Sequence, residues 1–186
     1  NLVVEMTDIT TTKIHQALQT QMLDLLVRET PTSDVMEMMC REVERLTSDV
    51  IASVLRVEDG KLRNLAAPGL PEAYCQMVEG VPVGPMTGCC GSAAFLGEPV
   101  LASDIATDPN WEGIAQVALE HGLAACWSSP IMSSDGRVLG TFAFYYRQPG
   151  KPTPLQIQLV DTCVHLCALA LEREESRKRI RHLAFY

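Results

Sequence analysis

The sequence predicts an α/β (α+β) domain, an antiparallel sheet covered by helices, and two observations carry that reading. Two pairs of strand-like segments are each joined by tight-turn residues, Asp59-Gly60 in one case and Ser134-Asp135-Gly136 in the other. Strands that follow one another through such turns pair antiparallel. Around them, apolar residues recur at helical spacing, most clearly at both ends of the chain. Helices of that kind bury one face against a sheet or a neighbouring helix.

Each element has its own signal. "KIHQALQTQMLDLLVRE" (13–29) sets Ile14, Leu18, Met22, Leu25 and Leu26 at helical spacing, and Thr30 and Pro31 end it. "SDVMEMMCREVERL" restarts the helical pattern, with Ser33 expected as N-cap and Asp34 and Glu37 in the first turn. Val50, Ile51, Val54 and Val57, the turn at 59–60 and the return through Leu62 to Ala66 read as a hairpin. "PEAYCQMVEG" is expected as a short helix, Gly88 to Gly97 as a helix of small residues, and "EPVLASDI" as a strand. In "DPNWEGIAQVALEHG" a single helix is expected, with Asp108 as N-cap, Pro109 at its first position and Gly122 as its stop. "LAACWSSPIMS" and "RVLGTFAFYY" are the last two strands, and Pro154 opens a long terminal helix.

Composition narrows the function. The 186 residues suit one domain with long appendages, and 47% hydrophobic with 20% charged residues suits a real core. A net charge of -8 opposes a nucleic-acid-binding surface, which needs clustered Lys and Arg. No continuous apolar run reaches the ~18 residues of a spanning helix, and a soluble, cytoplasmic protein without membrane insertion is expected. Seven cysteines, an odd number, point to a reducing compartment rather than a disulfide scaffold. Cys89 and Cys90 are adjacent, and neighbours across one trans peptide do not readily form a disulfide.

From about Pro31 to Arg173 the chain resembles a bacterial GAF sensor domain. The matching residues are "GCCGSAAFLGEPVLASDIATDPNW", "HGLAACWSSPI" and "DGRVLGTFAFYYRQPGKPTPLQIQLVDTCVHLCALALER". The resemblance implies a central antiparallel sheet of about six strands with helices on both faces and long amphipathic helices at both ends. "VVEMTDITTTK" resembles the closing strand of a PAS domain, and "IRHLAFY" the linker before a GGDEF domain. The implied organisation is residues 1–12 as the end of a preceding PAS-like domain or linker, 13–172 as the GAF domain, and 173–186 as a coiled-coil linker. That linker would lead to a covalently attached output domain that makes or degrades cyclic di-GMP.

Three chemical branches of that family bear on these residues. The branch that reduces free methionine sulfoxide has a Gly-x-Cys-Gly turn, where Cys90 falls, but "GLAACWSSP" carries no Asp or Glu to hold the substrate. Chromophore-binding members use a Cys-His dipeptide, absent here, and the Asn-Lys and Phe-Asp signatures of cyclic-nucleotide binders are also absent. Zinc spacing is missing as well. No catalytic residue, metal or cofactor is therefore expected, and the two thiols read as packing.

The resemblance places a ligand pocket between the sheet and the short helices over one face. Candidate lining residues are Tyr74, Met86, Cys90, Trp111, Cys126, Trp127 and Ser128, the tryptophans as aromatic walls. In the last helix Leu166, Leu169, Arg173, Ser176, Ile180 and Leu183 keep the three-and-four spacing of a coiled-coil seam. A parallel homodimer is expected through Ile14, Leu18, Leu25, Leu166, Leu169 and Ile180. The leading reading is a non-catalytic sensor of an unknown small molecule that signals through these helices. A ligand-free structural spacer and a thiol reductase are the alternatives.

Overall fold

The structure, a computed structural model, describes residues 2–186, excepting the side chains of residues 4, 7–9 and 11. Its strands are β1 (Ile51–Glu58), β2 (Lys61–Ala66), β3 (Val100–Ala102), β4 (Ala125–Met132) and β5 (Val138–Tyr146). They form one sheet in the order β2-β1-β5-β4-β3, with every pairing antiparallel. Five strands stand where about six were expected; Pro82 adds only an isolated bridge to Lys61. Asp59 and Gly60 turn the first hairpin with φ of 52° and 71°, the left-handed pair whose twist suits a two-residue connection. On β5, a Cβ at Gly140 would lie 2.1 Å from the Leu55 carbonyl oxygen, so glycine alone lets β5 sit this close to β1.

Helices cover both faces. α1 (Leu2–Val27), α2 (Thr32–Leu46) and α6 (Pro154–Phe185) lie on one face, and α3 (Glu72–Val78), α4 (Gly88–Leu96) and α5 (Ala115–Glu120) on the other. The two-residue period of the strands distributes their side chains between two cores. Ile131, Phe142 and Phe144 pack with Leu18, Met36 and Leu166, whereas Cys126, Ala143 and Tyr145 pack with Ala93 and Trp111.

Three local expectations are corrected. Residues 3–13 are not a strand but the opening turns of α1. The second helix begins at Thr32 with Pro31 at the N-cap, so Ser33 lies inside it and makes no cap. The helix expected over 108–122 is split in two. Asp108 does cap its start, accepting from the Asn110 amide at 2.8 Å, but only a 3-10 turn, Pro109–Trp111, follows. Gly113 then takes φ of 82° and α5 begins afresh at Ala115.

α6 starts from a capping box in which Thr153 and Gln156 bond each other's backbones. Gln156 also accepts from Tyr146 Oη at 3.0 Å and donates to Thr47 Oγ1 at 3.1 Å, tying the helix start to β5 and the end of α2. α1 runs parallel to α6: His15 bonds Thr162 near one end, and Glu29, just past α1, meets Arg177 at 3.0 Å near the other. By length and composition α6 could cross a membrane, although polar residues interrupt every apolar run in it. Half of that stretch is buried inside the fold, as in a core helix.

Candidate functional site

A cavity of about 270 Å³ opens between the sheet and the helices α3, α4 and α5. Tyr74, Met86, Cys90 and Trp111, four of the expected pocket residues, line it. So do Leu62, Val78, Ile114, Val117 and Tyr145, which the sequence reading missed. Among the described residues lining it, none carries a charge. Gly88 packs beside the Trp111 ring at φ of 71°, a left-handed conformation that side-chain-bearing residues rarely adopt.

The few polar groups at its floor are tied together. Tyr74 Oη donates to Tyr145 Oη at 3.1 Å, and their rings meet edge to face with centroids 5.5 Å apart. Burial pushes both phenols well above their ordinary range, so they stay neutral. The vicinal thiols face different partners. Cys89 is fully buried; its Sγ donates to the Cys126 carbonyl and accepts from Trp111 Nε1, both at 3.3 Å. Cys90 lines the cavity with its Sγ 4.0 Å from Tyr145 Oη. Its polar neighbours, the Cys126 thiol first and then Ser128, Thr141 and Tyr145, outweigh burial and hold the Cys90 thiol down at about 7, although Ser128 Oγ and Thr141 Oγ1 complete no hydrogen bond in the fold. Burial pushes the Cys126 thiol up instead.

The remaining expected pocket residues part company. Cys126 and Ser128 are fully buried on the cavity side of β4 and do not reach its wall. Trp127 is a correction. As the residue between them it points through the opposite face, where it packs edge to face on Phe144 at 6.3 Å. The two tryptophans therefore do not share a pocket. Strand alternation across "ACWSS" carried that signal, since residues 126 and 128 cannot share a face with residue 127.

The expected dimer seam divides in the same way. Leu18 and Leu166 are only 1% and 5% exposed, inside the core of this single chain, and are not available to a partner. Ile14 and Leu25 are half-buried, Leu25 against that core. Leu169 and Ile180 are exposed, and Leu183 continues their line. Leu2, Met6, Leu23 and Val27 also stand exposed along α1.

A wider cleft, about 370 Å³, opens at the root of the α6 extension. Part of its charged wall is paired: Arg56 with Glu174, Lys178 with Glu174 at 2.9 Å, and Arg177 with Glu29 at 3.0 Å. Burial alone would raise the Glu174 carboxyl, but hydrogen bonds from Arg56 and Lys178 and their charges hold it down at about 2. Across the helix, Glu172 accepts from the Ser134 amide at 2.6 Å, and Arg137 meets Glu175 at 3.2 Å. These contacts fasten residues 172–178 to β1, the β4–β5 turn and the end of α1.

A family model described as GAF domain matches residues 29–172. A curated relative, the "Methyl sulfide methyltransferase-associated sensor" of Methanosarcina acetivorans, is 28% identical over 165 residues, 88% of this chain. The chain spans only 16% of that relative's length. The GAF domain of an Acinetobacter phosphoenolpyruvate-protein phosphotransferase superposes with a TM-score of 0.66 at 14% identity, covering 89% of this chain and 97% of that one. The type II free methionine-R-sulfoxide reductase of Thermoplasma acidophilum superposes with a TM-score of 0.60 at 16% identity, covering 76% and 93%. At such identities the two structures support the fold alone.

Proposed function

This chain belongs to the GAF domain family, and from that premise we propose that it is a non-catalytic sensory module that binds a small molecule and passes its state to an output domain through α1 and α6. The observation that carries the reading is the placement of cavity and helices on opposite faces of the same sheet. Tyr145 floors the cavity from β5, while Phe144 and Tyr146 of that strand support the helical face. A ligand that shifts β5 therefore acts on α6 through a single layer of close-packed side chains.

The helices suit a relay. Beyond Glu172, α6 extends for about 20 Å at 1.5 Å per residue. α1 reaches past the start of α6 at the opposite pole, since residues 2–11 precede the His15–Thr162 contact. The exposed line of Leu169, Ile180 and Leu183 supports a parallel homodimer of the extensions. The likeness of the last residues to a GGDEF linker makes a cyclic di-GMP-metabolising enzyme the output, and two such domains side by side suit a reaction that joins two nucleotides. The sensor reading agrees with the name of the curated relative.

The fold also serves a sulfoxide reductase. The uncharged cavity favours the sensor, because a free amino acid brings an ammonium and a carboxylate that no lining residue would neutralise. Native mass spectrometry of the purified chain tests both parts. Expected are a dimer, a retained or titratable small neutral molecule, and no turnover of free methionine sulfoxide with a thiol reductant. A monomer whose Trp111 fluorescence responds to no compound in a broad panel of small neutral molecules, or steady turnover lost in Cys90→Ser, would refute it.

A further inference from the structure

We propose that the cleft at the root of the α6 extension binds a small molecule carrying a diphosphate group, and that the bound anion braces α6 against α2 and β1. The cleft, about 370 Å³, shares no lining residue with the cavity beneath α4. Its charge is the first support. Five of the chain's 15 Lys and Arg residues line it, Arg56, Arg173, Arg177, Lys178 and Arg181, against two carboxylates, Glu29 and Glu174. This positive excess stands in a chain whose net charge is -8. A cationic concavity on an otherwise anionic molecule draws anions from solution.

The second support is the way these charges pair. Glu174 engages Arg56 and Lys178, and Glu29 engages Arg177. Both carboxylates are therefore committed. Among the described residues no carboxylate pairs with Arg173 or Arg181. Like charges gathered without counter-charges repel, and a bound anion relieves that repulsion.

The third is spacing, which selects the ligand. Arg173, Arg177 and Arg181 recur every four residues, forming a ladder on one face of α6 with rungs about 6 Å apart. Two linked phosphoryl groups offer each outer rung its own oxygens, with Arg177 between them. A guanidinium fork takes two phosphate oxygens at once, which a point charge cannot. Thr32 and Ser33, the first residues of α2, line the same cleft, and the positive end of that helix has no side-chain cap. Leu26, Leu65 and Ala170 give an apolar wall for the organic part of the ligand.

Position gives binding a consequence. Arg56 stands on β1, Thr32 on α2 and the ladder on α6, so one anion ties three elements together. It does so where α6 leaves the body, beside the contacts of Glu174 and Glu29. Occupancy stiffens the helix that the sensor reading uses as its relay. Only that effect on the relay rests on the sensor reading; binding at the cleft does not.

Calorimetric titration of the purified chain with inorganic pyrophosphate tests the site, with orthophosphate as the comparison. Pyrophosphate is expected to bind about ten-fold more tightly than orthophosphate. Arg173→Gln and Arg181→Gln each remove an unpaired rung and should each weaken pyrophosphate binding about ten-fold. Both side chains are exposed, so these variants should fold as the parent does. Arg179→Gln removes the same charge from α6 outside the cleft and should leave binding unchanged. Glu29→Gln releases Arg177 and should tighten binding several-fold. Amide hydrogen exchange across residues 173–181 should slow when pyrophosphate is added. No binding of pyrophosphate by the parent, binding equal to that of orthophosphate, or a loss in Arg179→Gln equal to that in Arg181→Gln overturns the proposal.

Discussion

Trp111 Nε1 donates to the Sγ of Cys89 across 3.3 Å, and that same sulfur donates onward to the Cys126 carbonyl. The relay links the 3-10 turn, α4 and β4 through one small side chain, and it fixes the indole as the cavity wall. It also distinguishes two neighbouring cysteines that both line the cavity, since Cys89 bonds Trp111 and the Cys126 carbonyl while Cys90 Sγ stands 4.0 Å from Tyr145 Oη.

Cys89→Ala should therefore destabilise the fold by about 1–3 kcal/mol, the cost of leaving a buried indole N–H without an acceptor. Cys89→Ser keeps an acceptor and should lose less. Urea denaturation followed by Trp fluorescence reads both, and equal losses in the two variants would remove the hydrogen bond from the explanation.

Gly140→Ala should abolish soluble folded protein. Its Cβ would stand 2.1 Å from the Leu55 carbonyl oxygen, and the atoms it meets are all β1 backbone, which has no flexible group to yield. Gly150→Ala meets nothing within 4 Å and should behave as the parent. Circular dichroism and expression yield distinguish them.

The Arg56–Glu174 pair should hold the root of the α6 extension, with a coupling of at most about 1 kcal/mol because it is only partly buried. The sign with pH follows from a depressed carboxyl. With the folded group at about 2 against an ordinary 4.5, the contribution is whole above 4.5 and fades as pH falls toward 2. Melting curves of the parent and Glu174→Gln should differ at pH 6 and converge near pH 2. A gap that persists unchanged at pH 2 would refute the assignment.

Association should respond to the exposed seam and not to the buried one. Ile180→Asp with Leu183→Asp is expected to give folded monomers, because both side chains stand in solvent in the single chain. Leu166→Asp, placing a carboxylate in the core, should unfold the protein instead. Sedimentation velocity beside circular dichroism reads the two outcomes, and an unmodified chain that is monomeric at tens of micromolar would sink the dimer.

The antiparallel sheet, its two hairpins and the terminal helices were legible in the sequence, because they rest on local rules. Asp59-Gly60 sets a turn by backbone preference, and Thr153-Pro154 opens a helix by capping, whatever lies elsewhere in the chain. Local rules also misled: acidic and capping residues suggested one helix over 108–122, while Gly113 broke it. Tyr74, Met86, Cys90 and Trp111 were collected for one cavity, yet Trp127 went with them because composition says nothing about which face a strand presents.

Only the tertiary structure decided what depends on residues far apart in sequence. Whether Leu18 and Leu166 meet a partner or each other's core turned on α1 lying along α6, a contact across more than a hundred residues. Which of the vicinal thiols anchors the Trp111 indole turned on β4 lying beneath α4, which brings the Cys126 carbonyl to Cys89. Periodicity and turn chemistry act over a few residues and survive in the bare sequence. Burial, hydrogen-bond satisfaction and the acidity of a thiol are set by what the folded chain brings within a few ångströms, and that is written in no single segment.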